Sequence, residues 1–313
     1  MIDLNASLYV LPRLRPCVRI EPEPNDGIRV GLEQRYSTLI EPLPLGGGDS
    51  MAPSPDGTVR LAQQLRAKFP WMEPAIAVLE RQIWVSVWSG RPWLAWRPLC
   101  LVGDPGCGKS HFCREVAALS GLPMAALDLG AMHDAGAIVA VARGWTNTKP
   151  CWPAQMMSAF QTANPVLVLD EVEKAGGSDR NGEPHKAILA MLEPSTAARY
   201  FDTCLMGEID LSAVCWIATA NSTGGLPRPL ASRLEIIHID GPGPNDFDVV
   251  LNGILGALAA RWQLPVSLLP ELPERALRVL RQSFNRHRSL RSFKRNVEAV
   301  IGALLPFHRT NHH

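Results

Sequence analysis

A glycine-rich segment that ends in lysine and serine carries the clearest chemistry in this sequence. It reads GDPGCGKS over residues 103–110 and matches the pattern G-x-x-x-x-G-K-[ST]. In this pattern the glycines let the backbone wrap a phosphate group, and successive N–H groups form a nest for the anion. The lysine reaches the β- and γ-phosphates, and the serine hydroxyl coordinates Mg²⁺. The sequence therefore predicts a site for a nucleoside triphosphate, with ATP expected, formed by Gly103, Asp104, Pro105, Gly106, Cys107, Gly108, Lys109, Ser110 and His111.

Two adjacent carboxylates follow an apolar segment further along the chain. The segment reads PVLVLDE and ends in Asp170 and Glu171. A carboxylate at the end of such a strand can hold Mg²⁺ directly or through water, and we assign this role, together with Ser110, to Asp170. The second carboxylate, Glu171, is then placed to polarise an attacking water as a general base. Adjacent acidic residues are common by chance. The presence of the glycine-rich motif in the same chain is what favours a functional role for Asp170 and Glu171.

The elements that must position these residues follow an alternating pattern. Short apolar segments typical of buried strands alternate with helical patterns, and one strand and one helix flank the glycine-rich motif. This order predicts an α/β fold with a parallel sheet covered by helices on both faces. The predicted strands are Pro98–Val102, Pro123–Leu127, Pro165–Leu169, Val214–Ala220 and Glu235–Ile239. The predicted helices are Val59–Phe69, Glu73–Ser89, His111–Leu119, Asn245–Gln263, Pro273–Ser283 and Ser289–Leu305.

These patterns divide the chain into three predicted parts. Residues 1–57 are rich in proline and glycine and form either a small β-rich appendage or an extended arm, with short strands at Leu8–Leu11, Cys17–Ile20 and Ile28–Leu32. Residues 58–241 form the α/β nucleotide-binding domain with its leading helices. Residues 242–313 form a small all-α lid domain.

Composition excludes several classes of protein. The 313 residues are 46% hydrophobic with a formal net charge of +1, which gives no electrostatic argument for a nucleic-acid partner, although a local basic patch stays open. The 7 cysteines include no CxxC pair, so neither a disulfide framework nor a zinc site is expected. The sequence shows neither an apolar run of membrane-spanning length nor a signal-peptide pattern, and we expect a cytoplasmic protein.

Four segments after the glycine-rich motif resemble the AAA+ module of Lon-type ATP-dependent proteases. They read LDEVEK, LAMLEPSTAARYFD, DLSAVCWIATANS and LPRPLASRLEII. The resemblance begins near Phe69 and runs to about Val300, and it is most specific from the acidic pair to Ile237. It implies a P-loop NTPase fold of the AAA+ type, ATP hydrolysis and a homo-oligomer, with a hexamer expected.

The resemblance also implies roles for three polar residues outside the two motifs. Asn221 matches the sensor-1 residue, which contacts the attacking water or the γ-phosphate; the alternative is a turn former at a strand end. Arg233 matches the arginine finger that reaches the nucleotide of a neighbouring subunit. The family has aspartate before this arginine where this chain has Ser232, and the nearby Arg228 is the alternative finger. Arg291 matches the sensor-2 arginine of the lid, with a solvated basic helix face as the alternative.

A substrate-gripping pore loop is implied at Trp145. An aromatic side chain in such a loop can wedge against an unfolded polypeptide with little sequence preference. The aliphatic–glycine pair that follows it in the family is replaced here by Thr146 and Asn147, and Trp152 is a substitute candidate. The loop Ala175–Pro184 matches a second pore-facing loop, or is an ordinary surface loop.

The peptidase domain of Lon proteases is expected after the lid, where this sequence ends at residue 313. The resemblance therefore implies a motor subunit that remodels or translocates a protein substrate without protease activity of its own, in service of a separately encoded effector. Two other functions stay open. One is an assembly scaffold switched by nucleotide with little turnover, and the other is a nucleic-acid remodeller.

Overall fold

A five-stranded parallel sheet forms the centre of the computed structural model, which describes residues 18–20, 55–89, 93–132, 134–142, 148–175, 183–287 and 289–310. The strands in chain order are β1 (Val18–Ile20), β2 (Leu99–Val102), β3 (Met124–Asp128), β4 (Val166–Asp170), β5 (Tyr200–Asp202), β6 (Gly207–Ile209), β7 (Cys215–Ala220) and β8 (Glu235–His238). The parallel sheet has the order β3-β4-β7-β2-β8. Its strands coincide with the five predicted ones, so the predicted α/β fold is confirmed.

The sheet's inner strands are apolar on both faces. All residues of β2 and β7 are buried, as are the first four of β4. Strands of this kind read as continuous apolar runs because helices cover both faces of a parallel sheet. The carboxyl ends of parallel strands meet at one edge, and polar residues follow β2, β4 and β7 there. That edge is therefore where the candidate site must form.

Helices cover the two faces. In chain order they are α1 (Pro55–Lys68), α2 (Glu73–Trp88), α3 (Lys109–Ser120), α4 (Trp152–Phe160), α5 (Pro184–Leu192), α6 (Pro194–Ala197), α7 (Arg228–Ala231), α8 (Phe247–Arg261), α9 (Glu274–His287) and α10 (Leu290–Thr310). One buried cluster joins α1, α2 and α3 to one face of the sheet. A second joins α4 and α5 to the other face. The six predicted helices are all present, whereas α4 to α7 had no sequence prediction.

A small antiparallel sheet of order β1-β6-β5 lies beside the main one. Val18 pairs with Ile209 and Ile20 pairs with Gly207. This strand meets the prediction for Cys17–Ile20, while the predicted strands at Leu8–Leu11 and Ile28–Leu32 lie outside the described residues.

The three C-terminal helices have an apolar cluster of their own. The rings of Phe247, Phe284 and Phe293 pack at its centre, with centroids 4.8–5.7 Å apart. The helical C-terminal part is thus confirmed. The boundaries proposed at residues 57/58 and 241/242 stay predictions; α1 begins at Pro55. Within the described part of the chain, no helix is both long enough and apolar enough to cross a membrane.

Candidate active site

The glycine-rich motif forms the turn between β2 and α3. Gly106 and Gly108 have φ angles of +87° and +106°, the left-handed region that glycine adopts without strain. The helix begins at Lys109, so its amino end faces the turn and favours an anion there. Lys109 is 8% exposed, and its ammonium group donates to the carbonyl oxygen of Gly103 at 2.6 Å and to Asn221 Oδ1 at 3.3 Å. The loop is thus arranged to receive phosphate groups beside the lysine.

The acidic pair lies across from this loop. Asp170 Oδ2 accepts a hydrogen bond from Ser110 Oγ at 3.0 Å, and Asp170 Oδ1 accepts one from Thr219 Oγ1. Glu171 has a left-handed backbone with φ of +54°, and its N–H donates to Thr219 Oγ1 at 3.3 Å. The Glu171 carboxylate is paired with the Lys174 ammonium group at 2.8 Å. The structure therefore brings both predicted acids to the edge at the carboxyl ends of the parallel strands, with Glu171 held by a surface ion pair.

The residues at this edge suit Mg²⁺. Ser110 Oγ and the Asp170 carboxylate are adjacent hard oxygen donors, as this cation requires. Among the described residues, no group of three or more His, Cys, Asp or Glu side chains is clustered to hold a metal. A hydroxyl and one carboxylate leave the other coordination positions to water and phosphate oxygens, which is how Mg²⁺ binds beside nucleotides.

Asn221 completes the polar edge at the end of β7. Its Oδ1 faces the Lys109 ammonium group, while its backbone N–H and its Nδ2 both donate to Glu173 Oε1, at 3.0 and 2.8 Å. A cleft of about 550 Å³ opens here, within the range of small-molecule sites. Residues from the glycine-rich loop, the end of β7 and the end of β8 line it, including Asp104, Pro105, Asn221, His238 and Asp240.

The C-terminal helices contact the glycine-rich loop directly. The N–H of Leu290, the first residue of α10, donates to the carbonyl oxygen of Gly106 at 2.9 Å. A Cβ on Gly106 would lie 2.7 Å from Ser289 Oγ. On the other side, Trp71 Nε1 donates to the carbonyl oxygen of Cys107 at 2.9 Å, and its ring packs against both the sheet cluster and the C-terminal cluster. The loop is thus held between the sheet and the C-terminal helices.

Two further residues of the predicted nucleotide loop differ in their surroundings. Cys107 is buried, and burial raises the pKa of its thiol, with the nearby Lys109 opposing this effect. The raised pKa keeps the thiol protonated near neutral pH, and a protonated thiol is a poor nucleophile. His111 lies in the first turn of α3, where its ring packs edge-on against Phe69 with centroids 5.2 Å apart.

The predicted arginines lie at the surface. Arg233 Nε is 3.0 Å from Glu193 Oε2, and its Nη1 donates to the Pro229 carbonyl oxygen at 2.9 Å. Arg228 is exposed at the start of α7, and Arg291 is exposed in the first turn of α10. The arginine-finger role of Arg233 or Arg228 and the sensor-2 role of Arg291 stay predictions.

The pore-loop assignments have different outcomes. Trp145 and residues 176–182 of the second predicted loop lie outside the described residues. Trp152, the substitute candidate, is 8% exposed and packs against Trp216 with ring centroids 6.2 Å apart. A tryptophan fixed in the core cannot grip a passing chain, so this substitute is wrong.

Three contributions had no prediction from the sequence. Thr219 links the two acids, Glu173 holds Asn221, and Ser289 with Leu290 covers the glycine-rich loop. Two of them had a signal in the sequence. Thr219 interrupts the apolar run of β7, and Glu173 is a third acidic residue, two positions after Glu171.

Comparison with known proteins agrees with this geometry. Residues 99–240 match the family model of the AAA proteins, the ATPase family associated with various cellular activities. The chain is 30% identical over 202 residues to the mitochondrial Lon protease homolog of Emericella nidulans. The matched region covers 64% of this chain and 18% of that protein. It is 31% identical over 206 residues to the peroxisomal Lon protease homolog 2 of Arabidopsis thaliana, covering 66% and 23%.

The chain carries an AAA+ ATPase module of the Lon type. It spans about a fifth of the length of these relatives. A solved structure, the closed state of Hsp104 with ATPγS and FITC casein, matches 82% of this chain and 48% of that one with a TM-score of 0.65. At 16% identity this likeness shows the AAA+ fold alone. The module and the fold expected from the sequence are thereby confirmed.

Proposed function

We propose that this chain is a motor subunit that binds ATP with Mg²⁺ at residues 103–111 and uses its hydrolysis to remodel or translocate a protein substrate. The observation that carries the proposal is the convergence of three elements at one sheet edge. Lys109 and Ser110, at the start of α3, lie within hydrogen-bonding distance of Asn221 and Asp170, which stand at the ends of the neighbouring strands β7 and β4. These are the parts that phosphoryl transfer to water needs, namely a phosphate cradle, a metal-holding acid and polar groups for the water.

Each residue then has a defined task. Lys109 neutralises charge on the β- and γ-phosphates, and Ser110 with Asp170 holds Mg²⁺, which supplies further positive charge to the phosphate oxygens. Asn221 orients the attacking water, and Glu171 accepts its proton. Because Glu171 is paired with Lys174 at 2.8 Å, the carboxylate must leave this ion pair before it faces the water. The pair is half-exposed and therefore weak, so nucleotide binding can displace it.

We further propose that the active site is completed in a homo-oligomer, with a hexamer expected. Arg233 is part-exposed, and its guanidinium is paired with Glu193 and with the Pro229 carbonyl oxygen, so it must leave these partners to reach an adjacent subunit. Planar guanidinium groups suit the charge that develops on a transferred phosphoryl group. Arg228 is the alternative finger, and Arg291 of α10 is proposed to contact the γ-phosphate from the C-terminal side.

The substrate is proposed to be a protein that Trp145 contacts, and peptide-bond cleavage is not among the proposed activities of these 313 residues. Support comes from the similarity to the Lon protease homolog of Emericella nidulans, which extends over 202 residues and 18% of that protein. A cytoplasmic location is proposed because the six cysteines of the described residues are all free thiols, as a reducing compartment maintains them.

ATP turnover in the presence of candidate substrates tests this function. We expect an unfolded protein such as reduced casein to stimulate turnover, and Trp145→Ala to abolish the stimulation while basal turnover stays. Intact casein on a gel after incubation is expected, because cleavage is not proposed. Stimulation by DNA instead of casein would favour a nucleic-acid remodeller. Nucleotide-dependent assembly with negligible turnover in all conditions would favour a switched scaffold.

A further inference from the structure

A third carboxylate lies behind the end of β7, outside both motifs. Glu173 belongs to the 3₁₀ turn Val172–Lys174 that follows the acidic pair. Its Oε1 accepts hydrogen bonds from both the backbone N–H and the Nδ2 of Asn221, at 3.0 and 2.8 Å. One carboxylate oxygen therefore holds both the position of the residue and the rotation of its side chain.

The surroundings of Glu173 restrict it to this arrangement. Its Oε2 is buried and has no hydrogen-bond partner among the described residues. A Cβ on Gly225 would lie 2.4 Å from the Glu173 carbonyl oxygen and 3.2 Å from its Cβ, so the loop after β7 packs closely on this turn. The negative charge of Glu173 also acts on the neighbouring strand β2. Burial is the main cause that raises the pKa of Cys100 to about 12, and the charge of Glu173 raises it further. The side chain is thus fixed behind Asn221.

The bond from Nδ2 decides which end of the amide faces the cleft. With Nδ2 turned toward Glu173, Oδ1 of Asn221 must face Lys109, where it accepts at 3.3 Å. The reversed amide would set its oxygen against a carboxylate and its NH₂ group against an ammonium group, which is unfavourable at both ends. The cleft side of Asn221 is therefore a hydrogen-bond acceptor, as orientation of a water O–H requires.

We propose that Glu173 is a positioning residue for ATP hydrolysis, which acts by fixing the amide of Asn221 with its acceptor oxygen toward the nucleotide. This inference rests on the proposed function. Its role differs from that of Glu171, whose carboxylate is bound by Lys174 on the other side of the turn. Glu173 contacts Asn221 and contributes nothing directly to the reacting atoms.

Three variants separate positioning from general stability. Glu173→Ala removes the acceptor, and Glu173→Asp withdraws it by one methylene; both are expected to lower kcat about tenfold or more with KM for ATP within about threefold of wild type. Glu173→Gln keeps an acceptor oxygen at the same reach and is expected to retain kcat within about threefold. Glu208→Ala, on the β5–β6 hairpin, removes a half-buried carboxylate from a different sheet and is the matched control, with kinetics equal to wild type.

A double-mutant cycle with Asn221→Ala decides the mechanism. If Glu173 acts through Asn221, the double variant Glu173→Ala/Asn221→Ala has the same kcat as Asn221→Ala alone. Multiplicative losses would overturn the inference, as would wild-type kcat in Glu173→Asp. A slow Asn221→Ala beside an unaffected Glu173→Ala refutes only the positioning role. Absence of ATP turnover in the wild type refutes the proposed function and this inference with it. Should Glu173→Ala fail to fold, the comparison of Glu173→Asp with Glu173→Gln carries the same test.

Discussion

At the scale of single residues, one hydroxyl group connects the two acids of the site. Thr219 is 1% exposed; its Oγ1 donates to Asp170 Oδ1 and accepts from the N–H of Glu171. The same hydroxyl thus orients the carboxylate proposed to hold Mg²⁺ and fixes the backbone of the proposed base. Loss of this group leaves the half-buried carboxylate of Asp170 with one hydrogen-bond partner fewer, at a cost of about 1–3 kcal/mol.

We therefore predict that Thr219→Val raises the Mg²⁺ concentration for half-maximal turnover several-fold and lowers kcat. It should also reduce the free energy of unfolding by about 1–3 kcal/mol. A magnesium titration of ATP turnover and chemical denaturation measure the two effects. Thr219→Ser keeps the hydroxyl and serves as the control, with magnesium dependence close to wild type. A valine variant with an unchanged magnesium titration contradicts the role assigned to this hydroxyl.

Lys109, Ser110 and Asp170 were predictable because their chemistry lies in local patterns. Thr219 and Glu173 were not, because each acts across space. Leu169 pairs with Ala218 in the parallel register of β4 and β7, so the next residues along each strand lie side by side. That register depends on the whole sheet and cannot be predicted from the sequence of β4 or of β7 alone. A motif therefore indicates which atoms meet the ligand, and not which atoms hold them in place.

At the scale of elements, the sheet and its helices follow from apolar periodicity, whereas their docking does not. The strands β2, β4 and β7 were predictable as apolar runs, and the six predicted helices lie within a few residues of their observed bounds. The contact between the first residues of α10 and the glycine-rich loop had no sequence signal, because it joins segments that are far apart in the chain. This contact links the C-terminal helices to the proposed phosphate site.

The contact makes a prediction for Gly106→Ala. The φ angle of +87° strains any side chain, and the new Cβ would lie 2.7 Å from Ser289 Oγ. We expect ATP affinity to fall at least tenfold and the free energy of unfolding to fall by about 1–3 kcal/mol. Fluorescence titration with a labelled nucleotide and denaturant unfolding measure both.

The matched control is Gly253→Ala, in the middle of α8. A Cβ there meets nothing within 4 Å, and alanine favours helix over glycine by about 1 kcal/mol. This control is expected to keep full nucleotide affinity and to be slightly more stable. Equal nucleotide affinity in Gly106→Ala and the control would show that the loop does not need its left-handed glycine.

At the scale of the whole molecule, buried thiols make stability depend on pH. Burial is the main cause that raises the pKa of Cys100, Cys113 and Cys215 to about 12 in the folded chain. In the unfolded chain a thiol has a pKa near 8.5, so it loses its proton there first. Ionisation then favours the unfolded state. The stabilisation is fully present below about pH 8.5 and is lost as the pH rises toward 12.

We expect the free energy of unfolding to fall by roughly 1.4 kcal/mol per pH unit for each thiol above about pH 9. Denaturant unfolding at pH 7.5, 9 and 10, under reducing conditions, measures it. The triple variant with alanine at these positions is the control, since it loses the contribution of these three thiols and keeps every other titrating group, including the buried Cys107 and Cys151. Identical pH dependence in the two proteins would contradict burial of these thiols as the cause.

The central claim, that the sheet edge at residues 103–110, 170–171 and 221 hydrolyses ATP within an oligomer, is tested most directly by Glu171→Gln. ATP turnover, nucleotide binding and particle mass are measured together for the wild type and this variant. We predict that the variant binds ATP as tightly as the wild type and stays in a larger assembly with ATP. Because it lacks the general base, it should hydrolyse ATP at least about 100-fold more slowly, which is the usual effect of losing such a group. Equal turnover in the two proteins would contradict the assigned mechanism.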